Sequence, residues 1–283
     1  MGRKDFRRRV TRPALETTVA PLALDALSAA LARQIGFGAV YVGGGGLGYA
    51  RGVSEALLTL TEVAEVTRAI AERVDVDVVV DATTGFGDAV HAARTVRVLE
   101  QAGAAAVEIE DQLAPKRAHH HKGIDHMISP EEMVGKVEAA VAARTDPDLV
   151  LIVRTNALSH DGLDDAIARA AAYEAAGADM LLLQAGSPED LAAVGEATSL
   201  PLVTFTPAGV TREELRAAGV TLLCDPFSAT LLGVRALRAG YEALRAGEDV
   251  VDAADVRDAL HEVGEIIGID ELYAIEERTT ERR

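Results

Sequence analysis

The chain has 283 residues, of which 49% are hydrophobic, and its 45 acidic against 28 basic residues give a formal charge of −17. This size suits one large core, and we predict a single barrel domain over residues 1–283 that includes a C-terminal helical extension over 247–283. The negative charge argues against nucleic-acid and anionic-membrane partners, and no apolar run approaches the roughly 18 residues of a membrane span.

The first predicted element is a helix at the basic N-terminus, where Arg3, Lys4, Arg7 and Arg8 occur without the apolar core of a secretory signal. We expect this helix to be solvated rather than to bind phosphates. The single cysteine, Cys224, excludes an internal disulfide framework and is typical of a reducing compartment. A soluble cytoplasmic protein is therefore expected.

Short apolar runs then alternate with amphipathic, alanine-rich segments along most of the chain. The runs are typical of strands buried on both faces, and we predict strands over residues 18–22, 39–42, 76–80, 105–109, 149–154, 180–184, 202–205 and 221–224. The predicted helices between and after them are 24–35, 60–73, 88–102, 130–144, 163–176, 188–196, 212–218 and 228–246. This α/β pattern predicts a (β/α)8 TIM barrel with extra C-terminal helices, and an open doubly wound sheet is the alternative.

Acidic residues lie where two successive predicted strands end, at the barrel edge that carries active sites. Asp81 and Glu110 would be costly to bury unless a cation or a ligand compensates them. Their oxygens suit Mg²⁺, which usually takes one or two protein carboxylates, although each could instead cap a helix or pair with a neighbouring cation. The other strand-end candidates are Gly43, Gly44, Gly45, Thr83, Asp111, Arg154, Asn156, Gln184, Thr204 and Asp225.

Arg154 ends the fifth predicted strand and could supply the local positive charge that an acidic protein needs to bind an acid. A guanidinium there can clamp a substrate carboxylate bidentately, or it can form a structural ion pair with a site carboxylate. The glycine run after the second strand, residues 43–46, could present backbone N–H groups to an anionic oxygen or form a plain flexible turn.

Three adjacent histidines, His119, His120 and His121, follow the fourth strand. In an extended loop His119 and His121 would share a side, and the spacing does not suit a zinc site. One histidine could donate or accept a proton near neutral pH; functionless surface histidines are the alternative. We interpret Cys224 as a small buried residue rather than a nucleophile.

A family resemblance rests on nine motifs spread over roughly residues 14–240. They are Leu24-Asp-Ala-Leu-Ser28, Tyr41-Val-Gly-Gly-Gly-Gly46, Leu57-Leu-Thr-Leu-Thr-Glu62, Asp81-Ala-Thr-Thr-Gly-Phe-Gly87, Arg94-Thr-Val-Arg97, Ile109-Glu-Asp-Gln112, Pro115-Lys-Arg117, Glu132-Met-Val-Gly-Lys136 and Arg154-Thr-Asn156. With these motifs the chain resembles the isocitrate lyase/phosphoenolpyruvate mutase superfamily, especially its short bacterial members similar to 2-methylisocitrate lyase and oxaloacetate decarboxylase.

The resemblance implies Mg²⁺, or Mn²⁺, near Asp81 and Glu110, and a small 2-oxo or 2-hydroxy acid near Tyr41 with Arg154 on a carboxylate. It implies lyase chemistry through a metal-stabilised enolate. It also implies a homo-oligomer, a tetramer or a dimer, with exchanged C-terminal helices that residues 251–275 could supply.

The candidate site residues then fall into three groups. The metal group is Asp81, Glu110 and Thr83. The substrate-binding group is Tyr41, Gly43, Gly44, Gly45, Arg154, Asn156, Gln184 and Thr204. The catalytic group is His119, His120, Arg154 and Lys116.

The chain departs from the family pattern at several of these positions. The family's loop Lys-Lys/Arg-Cys-Gly-His reads Lys116-Arg-Ala-His-His120 here, so that Ala118 replaces the cysteine acid or base. The family has an acidic residue in a Pro-Asp-x-Gly loop. In this chain that position aligns with Ser54, and Glu55 is adjacent. At three further places this chain differs from the family pattern. Thr83 replaces an aspartate, Gln184 replaces a glutamate, and Thr204-Phe-Thr-Pro207 replaces an Asn-x-x-Glu motif.

Three functions are consistent with this pattern. We favour a Mg²⁺-dependent carbon–carbon lyase or decarboxylase acting on a small 2-oxo or 2-hydroxy (di)carboxylic acid. Phosphonopyruvate-type P–C bond chemistry is one alternative, since those relatives also lack the cysteine. The other is a protein that keeps the family fold but binds a metabolite without turnover or catalyses an unrelated step.

Overall fold

The barrel consists of eight parallel strands surrounded by helices. The computed structural model describes residues 2–12, 16–184, 187–205, 209–248 and 253–281. The strands are β1 Thr18–Ala20, β2 Ala39–Val42, β3 Asp77–Asp81, β4 Ala106–Glu110, β5 Val150–Thr155, β6 Met180–Leu183, β7 Leu202–Phe205 and β8 Val220–Cys224. They pair in the order β1-β8-β7-β6-β5-β4-β3-β2, and a bridge between Leu22 and Tyr41 nearly closes the barrel. The predicted TIM barrel is confirmed.

Thirteen α-helices occur in the described residues. They are α1 Arg3–Val10, α2 Ala26–Ile35, α3 Gly44–Arg51, α4 Leu60–Ala71, α5 Ala89–Gln101, α6 Pro130–Ala143, α7 Ala157–His160, α8 Leu163–Ala175, α9 Pro188–Ala197, α10 Arg212–Ala217, α11 Ser228–Ala246, α12 Ala253–Ile267 and α13 Ile269–Arg278. Two short 3₁₀ helices, Glu55–Leu57 and Ala118–Lys122, lie in the loops after β2 and β4. Sequence signals fix several helix starts; Thr59 and Glu62, for example, form a reciprocal capping box at α4.

The N-terminal helix α1 is solvated on one face only, where Lys4 and Arg8 are exposed, so the prediction of a solvated helix was wrong for its other face. Phe6 and Val10 are fully buried and pack with interior residues of the barrel. Arg7 pairs with Asp179 at 2.5 Å and Arg9 with Asp77 at 2.8 Å. Arginines on the outer face of an amphipathic helix therefore compensate carboxylates at the amino ends of the strands, while the apolar face closes that end of the barrel.

The buried apolar residues form two separate cores. One fills the interior, and the larger one lies between strands and helices, as expected for strands apolar on both faces. Within the described part of the chain, no helix combines the length and apolar character that crossing a bilayer requires. The division into one domain with an extension over 247–283 stays a prediction.

The strands β3 and β4 each extend one residue beyond the predicted end. Asp81 and Glu110 are therefore the last residues of their strands rather than the first of the following loops. In the parallel register, Asp81 lies opposite Glu108, and Glu110 lies opposite Arg154. The sheet thus brings three carboxylates and one guanidinium to the same edge.

Candidate active site at the carboxyl ends of the strands

Asp81 is held by two backbone N–H groups. Its Oδ2 accepts a hydrogen bond from Gly44 N at 2.9 Å, and its Oδ1 accepts one from Thr83 N at 2.7 Å. A Cβ atom on Gly44 would lie 2.9 Å from Asp81 Oδ2, so only glycine permits this approach. Burial, followed by the charge of Glu55, raises the pKa of Asp81. The glycine run is therefore the start of α3, with Gly43 at its N-cap, and not a flexible turn.

Glu110 is buried, and neither of its carboxylate oxygens has a hydrogen-bond partner among the described residues. Two cations lie close: Lys116 Nζ is 2.6 Å from Oε1, and Arg154 Nη1 is 3.6 Å from Oε2. These contacts compensate the charge but lack hydrogen-bond geometry. A buried carboxylate whose oxygens accept no hydrogen bond is an expensive arrangement without a further ligand.

The donor set of the site fits a magnesium ion better than a zinc ion. The described residues contain no group of three His, Cys, Asp or Glu side chains that could hold a metal together. Mg²⁺ needs only one or two protein carboxylates and fills its octahedron with water and substrate oxygens. Asp81 and the hydrogen-bond-free oxygens of Glu110 are suitable ligands, whereas the buried Thr83 is seen to contribute its backbone N–H to Asp81.

Arg154 lies among acceptors on one side and an aromatic ring on the other. Its Nη1 is 3.4 Å from Glu108 Oε1, and its Nε is 3.4 Å from Asn156 Oδ1. The ring of Phe205 lies 5.0 Å from Cζ. Burial lowers the pKa of Arg154, but Glu110 and Glu108 outweigh it, so the guanidinium stays charged. Nη2 has no hydrogen-bond partner among the described residues and is available to a ligand.

Glu108 is a site residue that the sequence analysis missed. It is fully buried in the barrel interior and accepts a hydrogen bond from the Tyr41 hydroxyl at 2.8 Å. Burial, followed by the charge of Asp81, raises the pKa of Glu108 to about 8. Its signal in the sequence was its spacing of two residues from Glu110, because alternate residues of a strand face the same side.

The loop after β4 contacts the loop after β2 through Glu55, a second residue that the site prediction omitted. Glu55 Oε1 lies 2.5 Å from Lys116 Nζ and 2.8 Å from His120 Nε2. The hydrogen bond to Glu55 raises the pKa of His120. Burial favours the neutral form of Glu55, but His120 and Lys116 outweigh it and lower the pKa of Glu55.

The histidine loop is a 3₁₀ helix rather than an extended segment, which changes which histidines share a side. The rings of His120 and His121 lie 3.9 Å apart, and His121 Nε2 is 2.8 Å from Ser54 Oγ. His119 is exposed and makes no side-chain contact with these groups. Of the two histidines proposed as catalytic, the structure brings His120 to the site edge but not His119.

The remaining candidates differ in how close they come to this cluster. Asn156 Nδ2 donates to Asp125 at 3.0 Å, beside Arg154, whereas Gln184 is exposed. The hydroxyl of Thr204 donates to the Leu183 carbonyl at 2.8 Å, inside the sheet. The other two strand-end acids bind groups outside this cluster: Asp111 accepts hydrogen bonds from Arg169 and Tyr173, and Asp225 accepts them from Phe227 N and Ser228 N at the start of α11.

Two buried carboxylates, Asp81 and Glu110, and Arg154 thus lie together at the carboxyl edge of the barrel, where barrel enzymes carry their active sites. Residues 6–245 match the family model described as phosphoenolpyruvate phosphomutase. The chain belongs to this family, and one similar solved structure is described as a PEP mutase/isocitrate lyase superfamily member.

Relatives of known name cover most of the chain. A 2,3-dimethylmalate lyase of Eubacterium barkeri is 34% identical over 270 residues, which are 91% of this chain and 92% of the relative. An oxaloacetate decarboxylase of Paraburkholderia xenovorans is 40% identical over 221 residues, 77% and 70% of the two chains. A crystal structure of phosphonopyruvate hydrolase complexed with oxalate and Mg²⁺ matches with a TM-score of 0.87 and 31% identity, covering 99% and 100%.

Proposed function

We propose that the protein is a Mg²⁺-dependent carbon–carbon lyase or decarboxylase acting on a small 2-oxo or 2-hydroxy acid. The observation that carries this proposal is Glu110, whose buried oxygens accept no hydrogen bond beside Asp81 and opposite Arg154. Relatives named as a lyase and a decarboxylase support the reaction class. A similar structure that binds oxalate and Mg²⁺ supports the ligands.

In this proposal each site residue has a defined task. Asp81 and Glu110 hold Mg²⁺, which supplies Lewis-acid charge that lowers the energy of a developing enolate. Arg154 binds a substrate carboxylate through the edge that carries Nη2. Burial lowers the pKa of Lys116, but the charges of Glu110 and Glu55 outweigh burial and raise it, so the ammonium group stays charged. In this proposal Lys116 compensates the charge of these carboxylates until the substrate is bound.

The carbon–carbon cleavage and the decarboxylation differ in the source of the proton that the released product takes up. With Ala118 in place of a thiol, His120 is the described loop side chain placed to deliver a proton, and Glu55 keeps it protonated to higher pH. Cleavage of a 2-hydroxy acid would release the hydroxyl proton to solvent and place a proton on the freed carbon, which His120 would deliver. A decarboxylation can take its proton from water.

An assay on a panel of oxo- and hydroxy-acids tests the proposal. We expect cleavage or carbon dioxide release that requires Mg²⁺, and loss of that activity in Asp81→Ala and Glu110→Ala with the fold intact. Glu72→Ala, an exposed acid at the opposite end of the barrel, is the matched control and keeps full activity. Full activity in EDTA would refute the proposal. If no acid of the panel is converted, the result favours the alternative that the protein keeps the family fold but has an altered site with another role.

We also propose a homo-oligomer, a dimer or a tetramer, in the cytoplasm. Support for the oligomer comes from α11, where no residue is buried and Leu231, Leu237 and Tyr241 are each more than half exposed. An apolar helix face of this kind is typical of an interface.

A further inference from the structure

The guanidinium of Arg154 is held at two of its three nitrogens. Nη1 lies 3.4 Å from Glu108 Oε1 and 3.6 Å from Glu110 Oε2, and Nε lies 3.4 Å from Asn156 Oδ1. A turn of the guanidinium plane would break one of these contacts. The partners of Nη1 and Nε therefore decide where the edge that carries Nη2 points.

The amide of Asn156 keeps its oxygen towards Arg154 because its nitrogen faces an acceptor. That acceptor is the carboxylate of Asp125: Asn156 Nδ2 donates to Asp125 Oδ2 at 3.0 Å. An ionised carboxylate accepts hydrogen bonds and donates none, so a flipped amide would place two acceptors against each other. The flip would also turn the NH₂ group towards the Nε–H of Arg154, donor against donor. Asp125 therefore fixes the orientation of the buried Asn156.

Asp125 is itself fixed at the base of the loop after β4. Its Oδ1 accepts a hydrogen bond from Gln112 Nε2 at 2.8 Å, beside a backbone bridge between Gln112 and Met127. The segment between the two sides of this base carries Lys116 and His120. One carboxylate thus links the loop of the proposed proton donor to the strand of the arginine.

The charge of Asp125 and its hydrogen bonds have opposite effects on an anionic ligand. A negative charge near an anion site weakens binding by Coulomb repulsion. Loss of the charge alone would therefore tighten the binding of an acid. Loss of the hold on Asn156 would weaken it, because the guanidinium edge would no longer be fixed. A binding measurement separates the two effects by their sign.

We propose that Asp125 is a positioning residue for acid binding: it orients Asn156, which in turn orients the guanidinium of Arg154. The inference rests on the proposed function, because it takes Arg154 to bind a carboxylate of the substrate. Asp125 acts through Asn156 and takes no part in the chemical step. Its replacement should therefore change KM and leave kcat nearly unchanged.

Calorimetry with oxalate in the presence of Mg²⁺ measures the effect in a double-mutant cycle. We expect Asp125→Ala to bind oxalate about 3- to 10-fold more weakly than the wild type, the contribution of about one hydrogen bond. Asn156→Ala should weaken binding by a similar factor. The double variant should bind as Asn156→Ala does, because Asp125 then has no amide to orient. Asp161→Ala, which removes an exposed acid beside His160 after β5, is the matched control and should not weaken binding.

The same measurement separates failure of the inference from failure of the proposed function. If Asp125→Ala binds oxalate as tightly as the wild type, or more tightly, only the inference is overturned. An equal loss from Asp125→Ala in the wild type and in Asn156→Ala would also overturn it, because Asp125 would then act independently of Asn156. If oxalate does not bind the wild type with Mg²⁺, the proposed function fails as well. Should the alanine variant not fold, Asp125→Leu, which keeps the branched shape without an acceptor, repeats the test with the same expected result.

Discussion

Glu108 carries a proton in the folded barrel over a pH range where the unfolded chain has lost it. Its pKa is raised to about 8 by burial and by Asp81, against about 4.3 for an exposed glutamate. The folded state therefore binds more protons between these values, and the free energy of unfolding falls as pH rises through this window.

Glu108→Gln removes this dependence. We expect the variant to be more stable than the wild type by an amount that grows from pH 5 to about pH 8 and then levels off. Urea unfolding of both proteins in EDTA at several pH values measures the difference. A stability difference that does not change with pH would show that the Glu108 carboxyl ionises normally in the fold.

Arg154 is predicted to act through its shape as well as its charge. Arg154→Lys keeps a positive charge near Glu108 and Glu110 but loses the planar edge that binds a carboxylate. We expect KM for the acid substrate to rise, with kcat less affected. Steady-state kinetics measure this, and an unchanged kcat/KM would assign Arg154 a structural ion-pair role only.

The three histidines of the 3₁₀ helix after β4 should differ in their effect on catalysis. His120 contacts Glu55, whereas His119 is exposed, so His119→Gln should keep the wild-type rate. His120→Gln should lower kcat by about 10²–10⁴ if the reaction is a cleavage that needs a general acid, and only mildly if it is a decarboxylation. His121→Gln serves as the neighbouring control. A large loss in His119→Gln alone would contradict this geometry of the loop.

The strands and most helices could be predicted from the sequence because their signals are local. Apolar runs, capping residues and glycines at helix ends suffice to place β3, β4 and β5, and with them Asp81, Glu110 and Arg154. The shift of one residue at β3 and β4 arises because Asp81 and Glu110 still pair in the sheet, which apolarity alone does not indicate.

Contacts between distant elements could not be predicted in this way. Glu55 reaches the site only because the loop after β2 packs against Lys116 and His120. The four glycines begin a helix, against their low propensity, because Asp81 accepts the Gly44 N–H and leaves no room for a Cβ atom. Such tertiary effects outweigh local preference and have no signature in the neighbouring sequence.

At the scale of the whole molecule, the exposed apolar face of α11 predicts self-association. Leu237→Asp places a charge on this face and should shift the protein to a smaller species in light scattering coupled to size-exclusion chromatography. Val90→Asp, at an even more exposed apolar site on α5, is the control and should not change the mass. A monomeric wild type would contradict the proposed oligomer.

The central claim is that Asp81 and Glu110 hold Mg²⁺ together with a small acid. Thermal unfolding with Mg²⁺ and oxalate tests it, because a ligand that binds only the folded state at a hundred times its Kd stabilises that state by about 2.7 kcal/mol. We predict a higher melting temperature for the wild type with both ligands, and none of this increase in Asp81→Asn or Glu110→Gln. An unchanged melting temperature in the wild type, or an equal rise in the Glu110→Gln variant, would contradict the claim.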